Sequence, residues 1–451
     1  ANSGVTNVSR RFRKWFEAGK LTMEDYSQDV IYMMWHAAAL GLPFLPVTLM
    51  QGSGLTDEWG ISKEVRKTLD KVPDDKFKYI DNPFKPGEKV VAVPVPQIDV
   101  AIIHAQQASP DGTVRIWGGK FQDVDIAEAA KYTIVTCEEI ISDEEIRRDP
   151  TKNDIPGMCV DAVVLAPYGA HPSQCYGLYD YDNPFLKVYD KVSKTQEDFD
   201  AFCKEWVFDL KDHPSDQSEG CSWSGLSYRH DEGGQITMAD YTNYTNKEMQ
   251  AVTIAKQIKN GQVVTVGTGL PLIGASVAKR VYAPDCHIIV ESGLMDCSPI
   301  QVPRSVGDLR FMAHCGCIWP NVRFVGFEIN EYLHKANRLI AFIGGAQIDP
   351  YGNVNSTSIG DYHHPKTRFT GSGGANGIAT YSNTIIMMQH EKRRFMNKID
   401  YVTSPGWIDG PGGRERLGLP GDVGPQLVVT DKGILKFDEK TKRMYLAAYY
   451  H

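Results

Sequence analysis

The chain has 451 residues, 42% of them apolar and 23% charged, with 48 Lys and Arg against 56 Asp and Glu for a formal charge of -8. This composition excludes a disordered, collagen-like or coiled-coil chain. It also argues against nucleic acid as a partner, because phosphate binding needs clustered Lys and Arg to displace counterions.

Nine cysteines, at 137, 159, 175, 203, 221, 286, 297, 315 and 317, are odd in number and scattered, with no secretory pattern ahead of them. They read as reduced thiols of a cytoplasmic protein. The chain opens on Ala1-Asn2-Ser3-Gly4 without an initiator Met, so a segment upstream is expected.

In chain order, the spacing of apolar residues predicts a basic amphipathic helix over 7–18 and a buried helix over 28–40. The stretch 31–50 is apolar enough to suggest a membrane span. Pro43 and Pro46, however, remove backbone donors that lipid could not replace. A helix ending near Leu40, a Gly-Pro break and a core strand are expected instead, with no membrane partner. Strands follow near 91–95 and 100–103. Residues 214–237 are rich in Ser, Gly and charge and have the composition of a linker. Beyond it come a helix over 246–259, a strand over 262–266, a turn at Gly267-Thr268-Gly269, a helix to about 281 and a strand over 287–290. Strand, helix and strand with long crossovers imply a parallel α/β domain.

An internal repeat links the two halves. Residues 101–114 (AIIHAQQASPDGTV) match 341–354 (AFIGGAQIDPYGNV) at six of fourteen positions without a gap. Each copy reads as an apolar strand, a Gln, a Pro-x-Gly turn and a further extended segment. The first half has no counterpart of the βαβ unit at 246–290, so it is expected to begin in mid-domain.

Glu291-Ser292-Gly293 follows the apolar run 288–290. A carboxylate at the C-terminal end of a parallel strand lies where open α/β sheets bind ligands, and it is ionised at neutral pH without a partner base. The bland reading of such a residue is a solvated loop acid. The glycine cluster 371–377 (GSGGANG) admits two readings, an oxyanion loop or a mobile surface loop. Gly267-x-Gly269 lacks the third glycine of a dinucleotide fingerprint, Leu standing at 272. His314-Cys315-Gly316-Cys317 and Asp361-Tyr362-His363-His364 lack the paired spacing of a zinc site, and no metal is expected.

Through Val290-Glu291-Ser292-Gly293, Gly267-Thr268-Gly269 and the 371–376 glycines, the second half resembles the B subunits of family I CoA-transferases. Through 104–112 (HAQQASPDG) and 117–121 (WGGKF), the first half resembles their A subunits. The resemblance implies an α/β fold of two related, open, mostly parallel-sheet domains: an N-terminally incomplete A-like domain over 1–213 and a B-like domain over 238–451. These are expected to pack together around the active site and to form an oligomer. The implied activity is transfer of CoA between acetyl-CoA and a dicarboxylic acid, glutaconate or 2-hydroxyglutarate, in glutamate fermentation. Coenzyme A is then a substrate, with no bound cofactor.

In such an enzyme Glu291 attacks the acyl-CoA and, through an anhydride, becomes a glutamyl-CoA thioester. Gly373, Gly374 and Ala375 would supply oxyanion amides, and Gly267 and Gly269 would face CoA. Ser3, in an Asn-Ser-Gly that echoes Glu-Ser-Gly, and Gln347, on the repeated turn, would contact the substrate acid. Two alternatives stand beside this: a catalytically incomplete CoA-binding or assembly fragment, whose missing βαβ unit would bare core surface on its sheet, and an acyl-CoA hydrolase.

The family has two chains where this sequence has one. Back-translation of Asp231-Glu232-Gly233-Gly234 permits a purine-rich, ribosome-binding-like run ahead of Met238. Codons for 229–237 can be read, one base displaced, as Asp-Met-Thr-Lys-Glu-Asp-Lys followed by a stop. Residues 214–237 are therefore expected to be a frame-shifted reading of a gene junction. The intact mass of natively purified protein checks this, and a single chain containing Trp223 refutes it.

Overall fold

The computed structural model describes residues 10–209, 244–267, 269–319 and 338–450; Ser3 and the 214–237 linker lie outside them. The second half is built on a seven-stranded sheet. Its order is Met444–Tyr449, Gly433–Phe437, Pro425–Val429, Asn383–Met387, Leu339–Gly344, Val263–Val266 and His287–Ile289. The last five strands pair in parallel, and the first two add an antiparallel margin.

Parallel strands are covered on both faces, which is why Leu339–Gly344 reads as an unbroken apolar run. Its side chains alternate between two cores. Ile340 and Phe342 pack with Ile254, Leu272 and Ala275 under the helices Asn246–Ala255 and Leu270–Val277. Ala341 and Ile343 pack with Ile378 and Ala379 of the helix Ala375–Tyr381. Thr245 starts the first of these helices with a reciprocal capping box to Glu248. Pro271 occupies the first turn of the second, where no backbone donor is lost.

The first half carries a smaller sheet in the order Val114–Arg115, Ile98–Ala108, Ala130–Ile140 and Ala162–Leu165, the last three parallel. Its pairing repeats that of the second half. Ile102 faces Ile134 as Phe342 faces Ile385, and Ile134 faces Ala162 as Ile385 faces Leu427. The hairpins predicted from the sequence repeat share one register, Gln107 opposite Arg115 and Gln347 opposite Asn355. The helix Asp123–Ala129 covers one face of this sheet over Ala101, Ile103 and Val135. The other face is open: Ile102 is 74% exposed and Val100, Tyr132 and Val164 about half exposed, whereas Phe342 at the equivalent place is buried.

One expectation is corrected. The strand after Pro43, Phe44–Val47, gives Val47 to a core but is the margin of a small antiparallel sheet with Lys89–Pro94 and Lys78–Asp81, and Phe44 at its start is 44% exposed. Pro46 lies within it and has no N–H to give to a second neighbour, so an edge is where such a strand is tolerated. Among the described residues no helix is long and apolar enough to cross a membrane.

Candidate active site

Glu291 stands one residue beyond Val290, which follows the strand His287–Ile289. The Gly293 N–H donates to the Val290 carbonyl at 3.1 Å and the Val290 N–H to the Leu294 carbonyl at 3.2 Å. This tight turn is closed by Gly293 at φ 82°, and Glu291 and Ser292 form its tip. Ser292 is buried and its hydroxyl donates to the Val306 carbonyl. Glu291 reaches across to the loop 371–374, where the Gly374 N–H donates to its Oε2 at 3.0 Å.

A Cβ at position 374 would lie 2.4 Å from that same oxygen, so a larger residue would push the carboxylate off the amide. Gly374→Ala is accordingly expected to lower turnover by about 10²- to 10³-fold, the range for loss of one oxyanion donor. The measurement is kcat alongside an unchanged far-UV circular dichroism spectrum. Burial pushes the Glu291 carboxyl upward and the Gly374 amide draws it back, with burial the larger. A poorly solvated carboxylate is chemically capable of nucleophilic attack on an acyl group.

The first half supplies the other wall. The helix Gln28–Ala39 begins at the glycine loop, and the Gln28 N–H donates to the Gly373 carbonyl at 3.0 Å. A Cβ on Gly373 would sit 3.5 Å from Gln28 Oε1 and 4.0 Å from Glu291 Oε2, so these two side chains flank the same glycine. Behind them the Met50 N–H donates to Asn376 Oδ1 at 3.1 Å, and the hydroxyls of Thr48 and Tyr381 meet at 2.5 Å. Sequence reasoning misses Gln28. The local signal there is Ser27 and an early acid, which marks a helix start and nothing about Glu291.

The remaining expected site residues divide. Gly267 and Gly269 lie just past the strand Val263–Val266, beside the strand that leads to Glu291, and among the described residues a Cβ at either would meet nothing within 4 Å. Their backbone faces open space. Ala375 differs from expectation, because its N–H is closed into a turn with the Ser372 carbonyl at 3.0 Å. Gln347 is corrected as well. It is buried, donates to Asp400 Oδ2 at 2.9 Å, and accepts from Asn355 Nδ2 at 2.7 Å and the Asp400 N–H at 3.0 Å. Its carbonyl accepts twice and one of its two N–H donors is engaged within the second half, so it braces the repeated hairpin.

His314-Cys315-Gly316-Cys317 and 361–364 form no metal-ligand group among the described residues, where one other cluster, His104, Glu138 and Cys175, has its donor atoms within 4.8 Å of one another. There the polar atoms are already paired: His104 Nε2 with Glu138 Oε1 at 2.8 Å, His104 Nδ1 with Thr136 Oγ1 at 2.9 Å, and the Tyr179 hydroxyl with Glu138 Oε1 at 2.5 Å.

This fold and a desolvated carboxylate under a glycine loop define an acyl-transferring enzyme, and comparison with known proteins agrees. The chain belongs to the coenzyme A transferase family, whose profile matches residues 1–166 and 247–451, and it is a CoA-transferase enzyme. Over 213 residues, 47% of this chain and 80% of the relative, it is 99% identical to the B subunit of glutaconate CoA-transferase from Acidaminococcus fermentans. Over 221 residues, 48% of this chain and 72% of the relative, it is 33% identical to the A subunit of 3-oxoadipate CoA-transferase from Pseudomonas knackmussii. The acyl-CoA transferase YdiF of Escherichia coli O157:H7 superposes on 96% of this chain and 72% of its own, with a TM-score of 0.62 at 17% identity, and so shares the fold.

Proposed function

We propose that this protein transfers CoA between acetyl-CoA and a dicarboxylic acid, glutaconate or 2-hydroxyglutarate, through covalent adducts on Glu291, as a cytoplasmic, oligomeric enzyme of glutamate fermentation. The observation that carries the mechanism is the Gly374 N–H on Glu291 Oε2 at 3.0 Å. The glutaconate assignment is supported by the identity to the B subunit of a glutaconate CoA-transferase.

Glu291 attacks the acyl carbonyl, the carbon–sulfur bond breaks, and CoA leaves as thiolate from an acyl-glutamyl anhydride. The thiolate then attacks the glutamyl carbonyl, the anhydride C–O bond breaks, and acetate departs from a glutamyl-CoA thioester. The acceptor carboxylate attacks that same carbonyl and expels the thiolate to form a second anhydride. Attack of the thiolate on its acyl carbon releases the new acyl-CoA and restores Glu291. In the two middle steps negative charge develops on the oxygen of Glu291 itself. That is the atom the Gly374 amide addresses, at about 3 kcal/mol for such a donor.

Incubation with acyl-CoA, trapping with borohydride and peptide mapping tests the reading. Reduction is expected at Glu291, and modification elsewhere overturns it. The nucleophile must be ionised, and burial raises its carboxyl, so kcat/KM is expected to climb with pH along an acid limb above the ordinary glutamate value of about 4.3. A limb at or below that value in a pH profile would count against Glu291.

The open face at Val100, Ile102 and Tyr132 favours a second reading, an incomplete fragment of the same enzyme. Transfer that appears only on addition of a complete A-type partner would select it.

A further inference from the structure

Toward the carboxyl end of the first-half sheet, three side chains of the kinds that ligate metal come together. His104 and Glu138 stand on one face of the neighbouring parallel strands Ile98–Ala108 and Ala130–Ile140, and Cys175 arrives from the segment beyond Ala162–Leu165. One donor atom from each lies within 4.8 Å of the other two. The side chains of His104 and Glu138 are 18% and 9% exposed, and Cys175 is 5% exposed.

The hydrogen bonds around the pair demand a cation. The Thr136 hydroxyl donates to the Ile103 carbonyl at 3.4 Å, so its oxygen is left to accept from His104 Nδ1 at 2.9 Å. A neutral imidazole with its proton on Nδ1 presents a lone pair at Nε2. That lone pair meets Glu138 Oε1 at 2.8 Å, an oxygen that already accepts from the Tyr179 hydroxyl at 2.5 Å. Two acceptors this close repel unless a positive charge, a proton or a metal ion, lies between them.

Both groups are held from behind. The Tyr168 N–H donates to Glu138 Oε2 at 2.7 Å, and a Cβ on Gly169 would lie 2.5 Å from His104 Cε1, so the loop backbone fixes the ring. Outer contacts of this kind orient the histidines and carboxylates of metal sites.

We propose that His104 Nε2, Glu138 Oε1 and Cys175 Sγ bind one zinc ion, which fastens the loop of Cys175 to the first-half sheet. An imidazole, a carboxylate and a thiolate suit zinc, and three protein ligands leave its fourth position to water. Zinc replaces the proton between His104 and Glu138 and displaces the thiol proton of Cys175, and both protons go to solvent. Burial first and the Glu138 charge second push that thiol up to about 12, so the metal is what makes it a thiolate at neutral pH.

The fastened loop docks on the second half. Gln174 donates to the Gly307 carbonyl at 2.5 Å and accepts from the Leu309 N–H at 3.1 Å, and Asp180 pairs with Arg310 at 2.9 Å. The same stretch of the second half supplies the Val306 carbonyl that holds Ser292, the neighbour of Glu291. Zinc thereby braces the wall on which that turn rests.

The test uses the full chain without a histidine tag, stripped with EDTA and titrated with zinc against a chromophoric chelator, with Co²⁺ as a spectroscopic substitute. The parent is expected to take up one zinc per chain, to gain a few degrees in Tm at saturating zinc, and to show thiolate-to-cobalt charge transfer in the near ultraviolet. Cys175→Ser is expected to lose that absorption and to weaken zinc by more than about 100-fold, beyond the cost of losing an outer hydrogen bond. Thr136→Val, which removes the partner of His104 Nδ1, is expected to keep the absorption and weaken zinc about tenfold. Cys317→Ser, in the other cysteine-bearing stretch, should change neither. No uptake by the folded parent, or cobalt bound without the charge-transfer band, overturns the inference. So does zinc binding that Cys175→Ser leaves within about tenfold of the parent, or that Cys317→Ser abolishes.

Discussion

Glu291→Ala is expected to reduce CoA transfer by at least about 10⁴-fold, since removing a covalent nucleophile leaves only binding and orientation behind. Glu291→Gln should be equally impaired, because an amide keeps the shape and the hydrogen bond from Gly374 but carries no nucleophilic oxygen anion. Neither change should unfold the protein. The Glu291 carboxyl is desolvated, and either substitution removes a charge that burial already disfavours. The measurement is steady-state transfer together with adduct trapping. Turnover within tenfold of the parent would end the case for covalent catalysis by this residue.

Asp25→Ala is expected to cost about 3 to 5 kcal/mol of stability, the usual penalty for stranding one partner of a buried ion pair. Arg368 is fully buried, its guanidinium lies 2.5 Å from Asp25 Oδ1, and it stacks over Phe16 and Tyr362. The Tyr362 hydroxyl donates to the other Asp25 oxygen at 2.5 Å, and Lys76 acts on the same carboxylate from the first half. Without Asp25 the arginine cannot shed its charge and is left buried without its ionic partner.

The pair spans the two halves, so the loss should appear as a lower urea midpoint and as earlier separation of the halves to proteolysis. Burial works to raise the Asp25 carboxyl, but Arg368 and Tyr362 more than offset it and hold it below the usual carboxylate range. Its contribution is therefore present in full above the unfolded value of about 3.9 and is lost only as pH falls through the lower folded value. A midpoint unchanged by Asp25→Ala would show that the halves are held together elsewhere.

Some of this architecture can be read in one dimension. The hairpins at Gln107 and Gln347 are visible because a Pro-x-Gly turn with matching flanks is a local pattern. A second correspondence is not: Ile155-Pro156-Gly157 closes on Val114 as Ser404-Pro405-Gly406 closes on Val354. Its spacing from the first repeat differs between the halves, so no ungapped match can reveal it. Both glycines are required by the same contact. A Cβ on Gly157 would lie 2.3 Å from the Asp111 carbonyl oxygen, and one on Gly406 2.5 Å from that of Tyr351. Gln347 departs from its expected role for a related reason. Its place at a turn near the strand ends is legible, but the three hydrogen bonds that occupy it come from Asn355 and Asp400.

What the order of residues determined unaided was whatever depends on neighbours along the chain. That comprises the α/β class, from the period of apolar residues; the acid after a buried strand, at Glu291; the glycines that let a backbone come close, at 371–374; and the kinship of the halves. Tertiary structure alone decided which distant groups meet. Gln28 on Gly373 and Asp25 on Arg368 are pairs more than 300 positions apart. Such pairs leave no periodic trace, because the energy that joins them comes from excluding water between two finished surfaces rather than from any local backbone preference.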